Sequence, residues 1–252
     1  MEISRGVDDS GLMRLVEMSS TRLLQHEDAI DETAGDSSVD VIVAHTRERI
    51  VSGEFPAGSK LLPKTLAEEC GTSLIPVREA LRVLESNGLV TIIRNRGAWV
   101  ASLSLSELRD LYSVRIPLEC EAVRRAEPLT PEHVSRLRSI LAEARTASGR
   151  DDQSRVIELN RDLHMTIYER CNSPWRMRLI EQVWEHAQRY QRQALDLRDD
   201  GADEEHTEIV DHLIEGDNES AALALEAHLT STVRLLHDNL MESGLPDQSV
   251  LE

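Results

Sequence analysis

The sequence predicts a mainly α-helical protein, in which an N-terminal winged helix-turn-helix precedes an antiparallel bundle of about six helices. Only 3% of the residues are aromatic, so Leu, Val, Ile and Ala must build most of the core. Residues 65–100 have the pattern of a helix, a tight turn, a second helix and a hairpin. From residue 103 onwards, apolar residues recur only at helical spacing.

We therefore divide the 252 residues into four segments: an acidic arm (1–38), a winged-helix domain (39–102), a helical domain (103–243) and a tail (244–252). A weakly amphipathic stretch in the arm, around Leu12–Ile30, predicts at most one helix. The winged-helix domain opens with a predicted helix over 39–52. A turn follows at 55–58, where Pro fixes φ and Gly permits positive φ.

The helix-turn-helix is predicted from a short helix at 66–70 and a second helix that Thr72 or Ser73 caps. Four apolar residues at i, i+3, i+4 and i+7 mark the buried face of the second helix: Val77, Ala80, Leu81 and Leu84. Arg78 and Arg82 lie four residues apart on a different face. A helix packed on one side with arginines on another is what insertion into a DNA major groove requires.

The wing is predicted as a hairpin of strands at 91–94 and 98–102, joined by Asn95-Arg96-Gly97. Arg96 at the tip would reach the adjacent minor groove. An arginine can donate to both O6 and N7 of guanine, and we expect Arg78 to make this contact. The alternative is a solvated helix face, on which Arg78 or Arg82 pairs with Glu79 or Glu85.

The helical domain begins with a capping-box sequence at 104–107, which starts a predicted helix that ends near Ala126. Thr130 caps the next helix and Pro131 starts it. Four more helices are predicted between Gly, Asn and Pro residues: 152–171, 174–198, 203–215 and 218–243. Six helices with short connections imply an antiparallel bundle.

The net charge of −18 is unevenly distributed along the chain. Residues 39–101 carry 8 basic and 7 acidic side chains, whereas the first 38 residues carry 3 basic and 9 acidic ones. The other segments of the chain are acidic and repel nucleic acid, so the segment that is not acidic is the one that can bind it.

The three cysteines form no CxxC pair, so no zinc ribbon is indicated. No apolar run approaches membrane length, and we expect a cytoplasmic protein.

Four residues of the helical domain could hold a metal ion. Asn160 and His164 are four apart on one predicted helix, His206 opens a later helix, and His228 lies on the last. Three imidazoles and an amide oxygen could converge inside the bundle and leave positions open for a ligand. When only the spacing is considered, the alternative is that these histidines lie on helix surfaces or form hydrogen bonds within the core.

Both halves of the chain resemble one family. Residues 50–100 closely resemble the winged helix-turn-helix of the GntR transcription regulators. The most specific part of this resemblance is the segment PVREALRVLESNGLV. The second half resembles the FCD domain of the FadR-type branch in LYSVRIPLECEAVRRA, NRDLHMTIYERCNSP, EEHTEIVDHLIEGD and AALALEAHL. The resemblance covers residues 39–240 and implies a homodimer that binds a pseudo-palindromic DNA operator. It also implies control by a small metabolite, and we expect a repressor.

The resemblance also assigns DNA contacts by position. Lys64 and Arg78 align with residues that contact DNA, and Arg96 and Gly97 align with the wing tip. Lys64, Thr72 and Ser73 lie where helix ends meet phosphates, so we expect them to position the protein rather than to read bases. Leu74 departs from the family, which usually has Arg there. Either the operator sequence differs from the motif that is common in the family, or the affinity for DNA depends on Arg78, Arg82 and the wing.

Family members with a metal site fill the four positions of the candidate set with Asp or Asn and three His. Asn160 supplies no negative charge, and neutral imidazoles suit Zn²⁺ or Ni²⁺ better than Mg²⁺. The effector expected beside such an ion is a small organic acid or sugar acid. Its carboxylate would bind the guanidinium of Arg115, with Arg189 and Tyr190 as further pocket residues. An ion pair of Arg115 with Glu119 on the helix surface is the alternative.

Two other functions remain open from the sequence. The first is a constitutive DNA-binding dimer, in which the helical domain only dimerises. The second is a metal-dependent hydrolase, which would need a base such as Glu205 or Glu208 beside the metal-bound water. No HExxH-type signature supports the hydrolase. We therefore expect no enzymatic activity.

Overall fold

A computed structural model of the protein describes residues 37–150, 152–193 and 202–247. The stretch around Leu12–Ile30 lies outside the described residues, as does the end of the helix predicted over 174–198. The described elements are α1 (Ser38–Val51), β1 (Lys60–Leu61), α2 (Pro63–Glu69), α3 (Leu74–Ser86), β2 (Val90–Ile93), β3 (Gly97–Val100), α4 (Leu105–Arg124), α5 (Pro131–Gly149), α6 (Gln153–Tyr168), α7 (Pro174–Gln193), α8 (Ala202–Glu215) and α9 (Asn218–Glu242). The expected mainly helical fold is confirmed.

The N-terminal elements form a winged helix around one apolar core. The antiparallel sheet has the order β1-β3-β2, with Val90 opposite Val100 and Ile93 opposite Gly97. The four residues predicted to face the core from α3 are all buried: Val77, Ala80, Leu81 and Leu84. Strand β1 was not predicted, because it has only two residues and exists through its pairing with β3.

The turn between α2 and α3 depends on a glycine. Gly71 has φ of 61°, a left-handed conformation that residues with a side chain rarely adopt. The next amide, that of Thr72, donates to the carbonyl of Ala67 at 2.9 Å. The chain therefore turns within the four residues between α2 and α3 and sets α3 against α2, which leaves another side of α3 exposed.

Helices α4 to α9 form the helical domain, and these six described helices agree with the predicted number. The side chain of Ser104 accepts a hydrogen bond from the amide of Glu107, and that of Thr130 accepts one from His133, so both predicted N-caps are present. The helix predicted over 152–171 ends at Tyr168 and continues as a short 3₁₀ turn, Glu169–Cys171. Among the described residues, no helix is long and apolar enough to cross a membrane.

Candidate functional site

The exposed face of α3 carries two unpaired arginines. Arg78 and Arg82 are both exposed, and neither forms a hydrogen bond or ion pair with any described residue. The alternative pairing with Glu79 or Glu85 is therefore absent. Glu85 instead accepts a hydrogen bond from the amide of Ile92 at 3.1 Å, which ties α3 to the wing. With respect to the part of the chain that the structure describes, both guanidinium groups are available to an anionic partner.

The other predicted DNA contacts lie on α2, at the start of α3 and in the wing. Ser73 is the N-cap residue of α3 by position, but its side chain makes no capping hydrogen bond, contrary to the prediction. Lys64 lies inside the first turn of α2, because that helix begins at Pro63 rather than at residue 66. At the wing tip, Arg96 is exposed and Gly97 has φ of 102°. Lys64, Ser73 and Arg96 are all exposed.

Three buried histidines from three helices meet inside the helical domain. His164 of α6, His206 of α8 and His228 of α9 are each at most 7% exposed. The Nε2 atom of His206 lies 3.2 Å from Nε2 of His164 and 3.2 Å from Nε2 of His228. We call these residues the three-His cluster; one nitrogen from each lies within 4.8 Å of the others.

The outer nitrogens of two of these imidazoles are fixed by hydrogen bonds. Nδ1 of His164 lies 2.8 Å from the hydroxyl of Tyr168, and that hydroxyl donates to Oε2 of Glu119 at 2.6 Å. The tyrosine proton is therefore used, and Nδ1 of His164 must be the donor. Nδ1 of His228 donates to Oε2 of Glu205 at 2.7 Å in the same way. In the neutral ring, each Nε2 then carries a lone pair.

These lone pairs make the cluster suitable for a cation. Burial, reinforced by the neighbouring histidines, holds the pKa of His164 and of His206 well below the usual range, so both rings stay neutral. His206 can donate only one proton, which leaves at least one buried Nε2 without a donor. Two nitrogens at about 2.1 Å from one ion lie about 3.0–3.4 Å apart at angles of about 90–109°. The observed spacing of 3.2 Å fits that arrangement.

Glu205 lies on the outer side of the cluster. Its carboxylate bonds to Nδ1 of His228, whereas the converging nitrogens are the Nε2 atoms. A carboxylate in that position orients the imidazole, as outer partners of metal-binding histidines do. The hypothesis that Glu205 acts as a base beside a metal-bound water is not supported by this geometry.

Arg115 and Glu119 form a buried ion pair rather than the exposed pair considered as an alternative. Their side chains are 1% and 0% exposed, and Nε of Arg115 donates to Oε1 of Glu119 at 2.7 Å. The guanidinium carbon also lies 4.6 Å from the ring centre of Tyr112 and 4.4 Å from that of Trp184. Glu119 raises the pKa of Arg115 against the opposing effect of burial, so the guanidinium stays charged.

A cavity of about 280 Å³ joins the three-His cluster to Arg115. Asn160 lines it one helical turn before His164, and its apolar wall comes mainly from α5, α6 and α9: Ile140, Leu141, Ala144, Val156, Ile157, Leu235 and Leu236. Three buried donors of lining residues have no hydrogen-bond partner in the described structure: the hydroxyl of Tyr112, Nη1 of Arg115 and Nε1 of Trp184. The cavity therefore offers cationic and neutral donors at one end and an apolar wall at the other.

Arg189 and Tyr190 do not line this cavity, so their predicted place in the effector pocket is corrected. The Arg189 guanidinium donates through Nη2 to the carbonyl of Ala101. The hydroxyl of Tyr190 accepts from the amide of Ser104 at 3.2 Å and donates to Glu107. Both residues contact the connection between β3 and α4 or the start of α4, whereas Gln191, the next residue of α7, lines the cavity.

The roles of four residues of this site were not predicted: Tyr168 and Trp184 were not considered, Glu119 was considered only as an exposed partner of Arg115, and Glu205 only as a base. Glu119, Tyr168 and Glu205 hold the imidazoles or Arg115, and Trp184 closes the cavity. Tyr168 follows His164 by one helical turn, a spacing that could have indicated a hydrogen bond between them. The other three come together only through the packing of separate helices.

Comparison with known proteins gives matches in both halves of the chain. Residues 39–100 match the family described as bacterial regulatory proteins, gntR family, and residues 110–231 match the FCD domain. The HTH-type transcriptional regulator BphR of Paraburkholderia xenovorans (strain LB400) is 30% identical over 79% of this chain and 85% of its own length. McbR of Escherichia coli (strain K12), also an HTH-type regulator, is 32% identical over 55% of this chain, and this match spans only 63% of McbR.

Two solved structures are similar along most of the chain. E. coli McbR/YncC superposes with a TM-score of 0.72 and 25% identity, covering 80% of this chain and 98% of that one. A GntR transcriptional regulator from Rhodococcus sp. RHA1 gives a TM-score of 0.70 and 25% identity over 79% of this chain and 97% of its own. The matched families and relatives are transcriptional regulators, not enzymes.

Proposed function

The chain belongs to the GntR family of DNA-binding transcription regulators and carries an FCD domain, and we propose that it is a metabolite-responsive repressor. It binds a pseudo-palindromic operator as a homodimer in the cytoplasm, through Lys64, Thr72, Ser73, Arg78, Arg82, Arg96 and Gly97. The observation that carries the effector response is the cavity that links the three-His cluster to Arg115. A domain that only dimerises needs no such cavity.

The three-His cluster and the amide oxygen of Asn160 hold one divalent ion, Zn²⁺ or Ni²⁺. When bound, the ion supplies a Lewis-acid site for one oxygen of an acidic ligand. The free Nη1 of Arg115 donates to the carboxylate, and Glu119 keeps that guanidinium in place. The apolar wall then covers the carbon skeleton of the acid, so small organic acids fit this cavity better than fully hydroxylated sugar acids.

Helix α7 provides the connection from the cavity to the DNA-binding domain. Trp184 and Gln191 line the cavity from α7. On its other side, Oε2 of Glu185 lies 3.6 Å from Nε of Arg47, and Nε2 of His186 lies 2.9 Å from the carbonyl oxygen of Asn87. Asn87 is the C-cap residue of the recognition helix α3. An acid that shifts α7 therefore acts on α1 and α3, which sets the spacing of the two recognition helices in the dimer.

Metal binding is expected to raise the thermal stability of the purified chain. A metal at about 1,000 times its Kd adds about 4 kcal/mol to stability, which corresponds to about 8–16 °C in Tm for a chain of this size. The measurement is the Tm of chelated protein with and without Zn²⁺ or Ni²⁺, together with elemental analysis. The variant His206→Ala should lose this gain, because His206 is the central member of the cluster.

The matched control is His212→Ala. His212 lies on the same helix, α8, but is part-exposed and faces Glu208. The control should keep the full metal-dependent rise in Tm. An equal rise in His206→Ala, or no metal-dependent rise in the parent protein, would contradict the proposed metal site.

A further inference from the structure

The first turn of the recognition helix α3 exposes two large apolar side chains. Leu74 and Ile75 are its first two residues, and they are 40% and 71% exposed. A single exposed apolar side chain is common on protein surfaces and carries little information. These two are adjacent, however, and they occupy the end of α3 that contacts base edges when such a helix enters a major groove.

The position of the arginines relates this apolar pair to the bases. Arg78 follows Leu74 by four residues and Ile75 by three, so it lies on the same exposed side of α3. Arg82 lies one further turn along. Neither arginine is paired with any acid of the described residues, so this surface presents two guanidinium groups beside the apolar pair, a combination that fits DNA rather than an apolar protein partner.

The major groove offers one apolar group on its base edges, the C5-methyl group of thymine. The other edge groups accept or donate hydrogen bonds, and an aliphatic side chain placed over them would leave them unsatisfied. We propose that Leu74 and Ile75 read thymine methyl groups in the operator, next to the base that Arg78 contacts. This specificity rests on the proposed function, in which α3 binds operator DNA.

The test begins with selection of a duplex from randomised DNA by the full-length protein. Each thymine of the selected duplex is then replaced, one at a time, by deoxyuridine, which lacks only the methyl group. Binding is measured by fluorescence anisotropy at fixed salt. At one or two thymines per half-site, loss of the methyl group should weaken binding about three- to fivefold, the effect of exposing one buried methyl-sized group.

Alanine variants assign this loss to the apolar pair. In Ile75→Ala or Leu74→Ala, the same replacement of thymine by deoxyuridine should change the affinity less than twofold. The control is Val83→Ala, on the same helix with the same 40% exposure as Leu74 but near its C-terminal end. This variant should keep the full sensitivity to the methyl group.

The outcomes separate the inference from the proposed function. If a specific duplex is selected but no thymine is sensitive to methyl loss, thymine reading is wrong and the operator-binding function stands. The same conclusion follows if Ile75→Ala and Leu74→Ala both keep the sensitivity of the parent protein. If no sequence is enriched at all, the proposed function itself fails and the inference fails with it.

Discussion

Replacement of Arg78 by alanine is expected to weaken specific operator binding about 100-fold or more. A bidentate contact of arginine with guanine gives about 1–3 kcal/mol of discrimination, and a dimer loses this contact in both half-sites. Fluorescence anisotropy with the selected duplex measures the loss. Binding to random DNA should weaken less, because it depends on the sum of phosphate contacts.

The fold should not change in this variant, since Arg78 is exposed and has no partner among the described residues. Circular dichroism and the Tm check this point. Arg125→Ala is the matched control, because it removes an exposed arginine of the helical domain whose one ion pair with the described residues is that with Glu121. Undiminished specific binding by Arg78→Ala, or an equal loss in Arg125→Ala, would refute the assigned contact.

Replacement of Glu119 by alanine is expected to lower the free energy of unfolding by about 3–5 kcal/mol. Glu119 is fully buried and accepts hydrogen bonds from Arg115 and from the hydroxyl of Tyr168. Its removal leaves a buried guanidinium without a carboxylate and a buried hydroxyl without an acceptor. Urea unfolding, with the slope compared between variants, measures the change.

Glu121→Ala is the control for this prediction. Glu121 lies on the same helix, α4, and also pairs with an arginine four residues away, but its pair with Arg125 is exposed. Exposed pairs contribute little to stability, so this variant should unfold almost as the parent does. A similar decrease in the free energy of unfolding in the two variants would show that burial of the Arg115–Glu119 pair does not determine its contribution to stability.

The parts of the fold that depend on local sequence could be predicted. The buried face of α3 follows from four apolar residues at helical spacing, and the start of α4 follows from the serine and glutamate of its capping box. Each feature is determined within one or two helical turns, so periodicity and capping chemistry suffice.

The site could be predicted only in part. His164, His206 and His228 were found through their positions in family-like segments, and the structure brings them together. Glu119 and Arg189 show the limit: whether a residue faces the cavity or the neighbouring domain depends on which helices pack on each side of α4 and α7. Strand β1 shows the same limit, because two residues become a strand only beside a partner 37 or more positions away.

If the helical domain controls DNA binding, an acid bound in its cavity changes the affinity of the protein for the operator. The most direct measurement is the operator Kd of Zn²⁺-loaded full-length protein across a panel of small organic acids, repeated after chelation. At least one acid should change the Kd about 5- to 150-fold, and only in the metal-loaded protein. The response should shrink in His186→Ala, which loses the contact between α7 and Asn87 but keeps the cavity. Operator binding that no acid alters, with or without metal, would contradict the account and favour a helical domain that only dimerises.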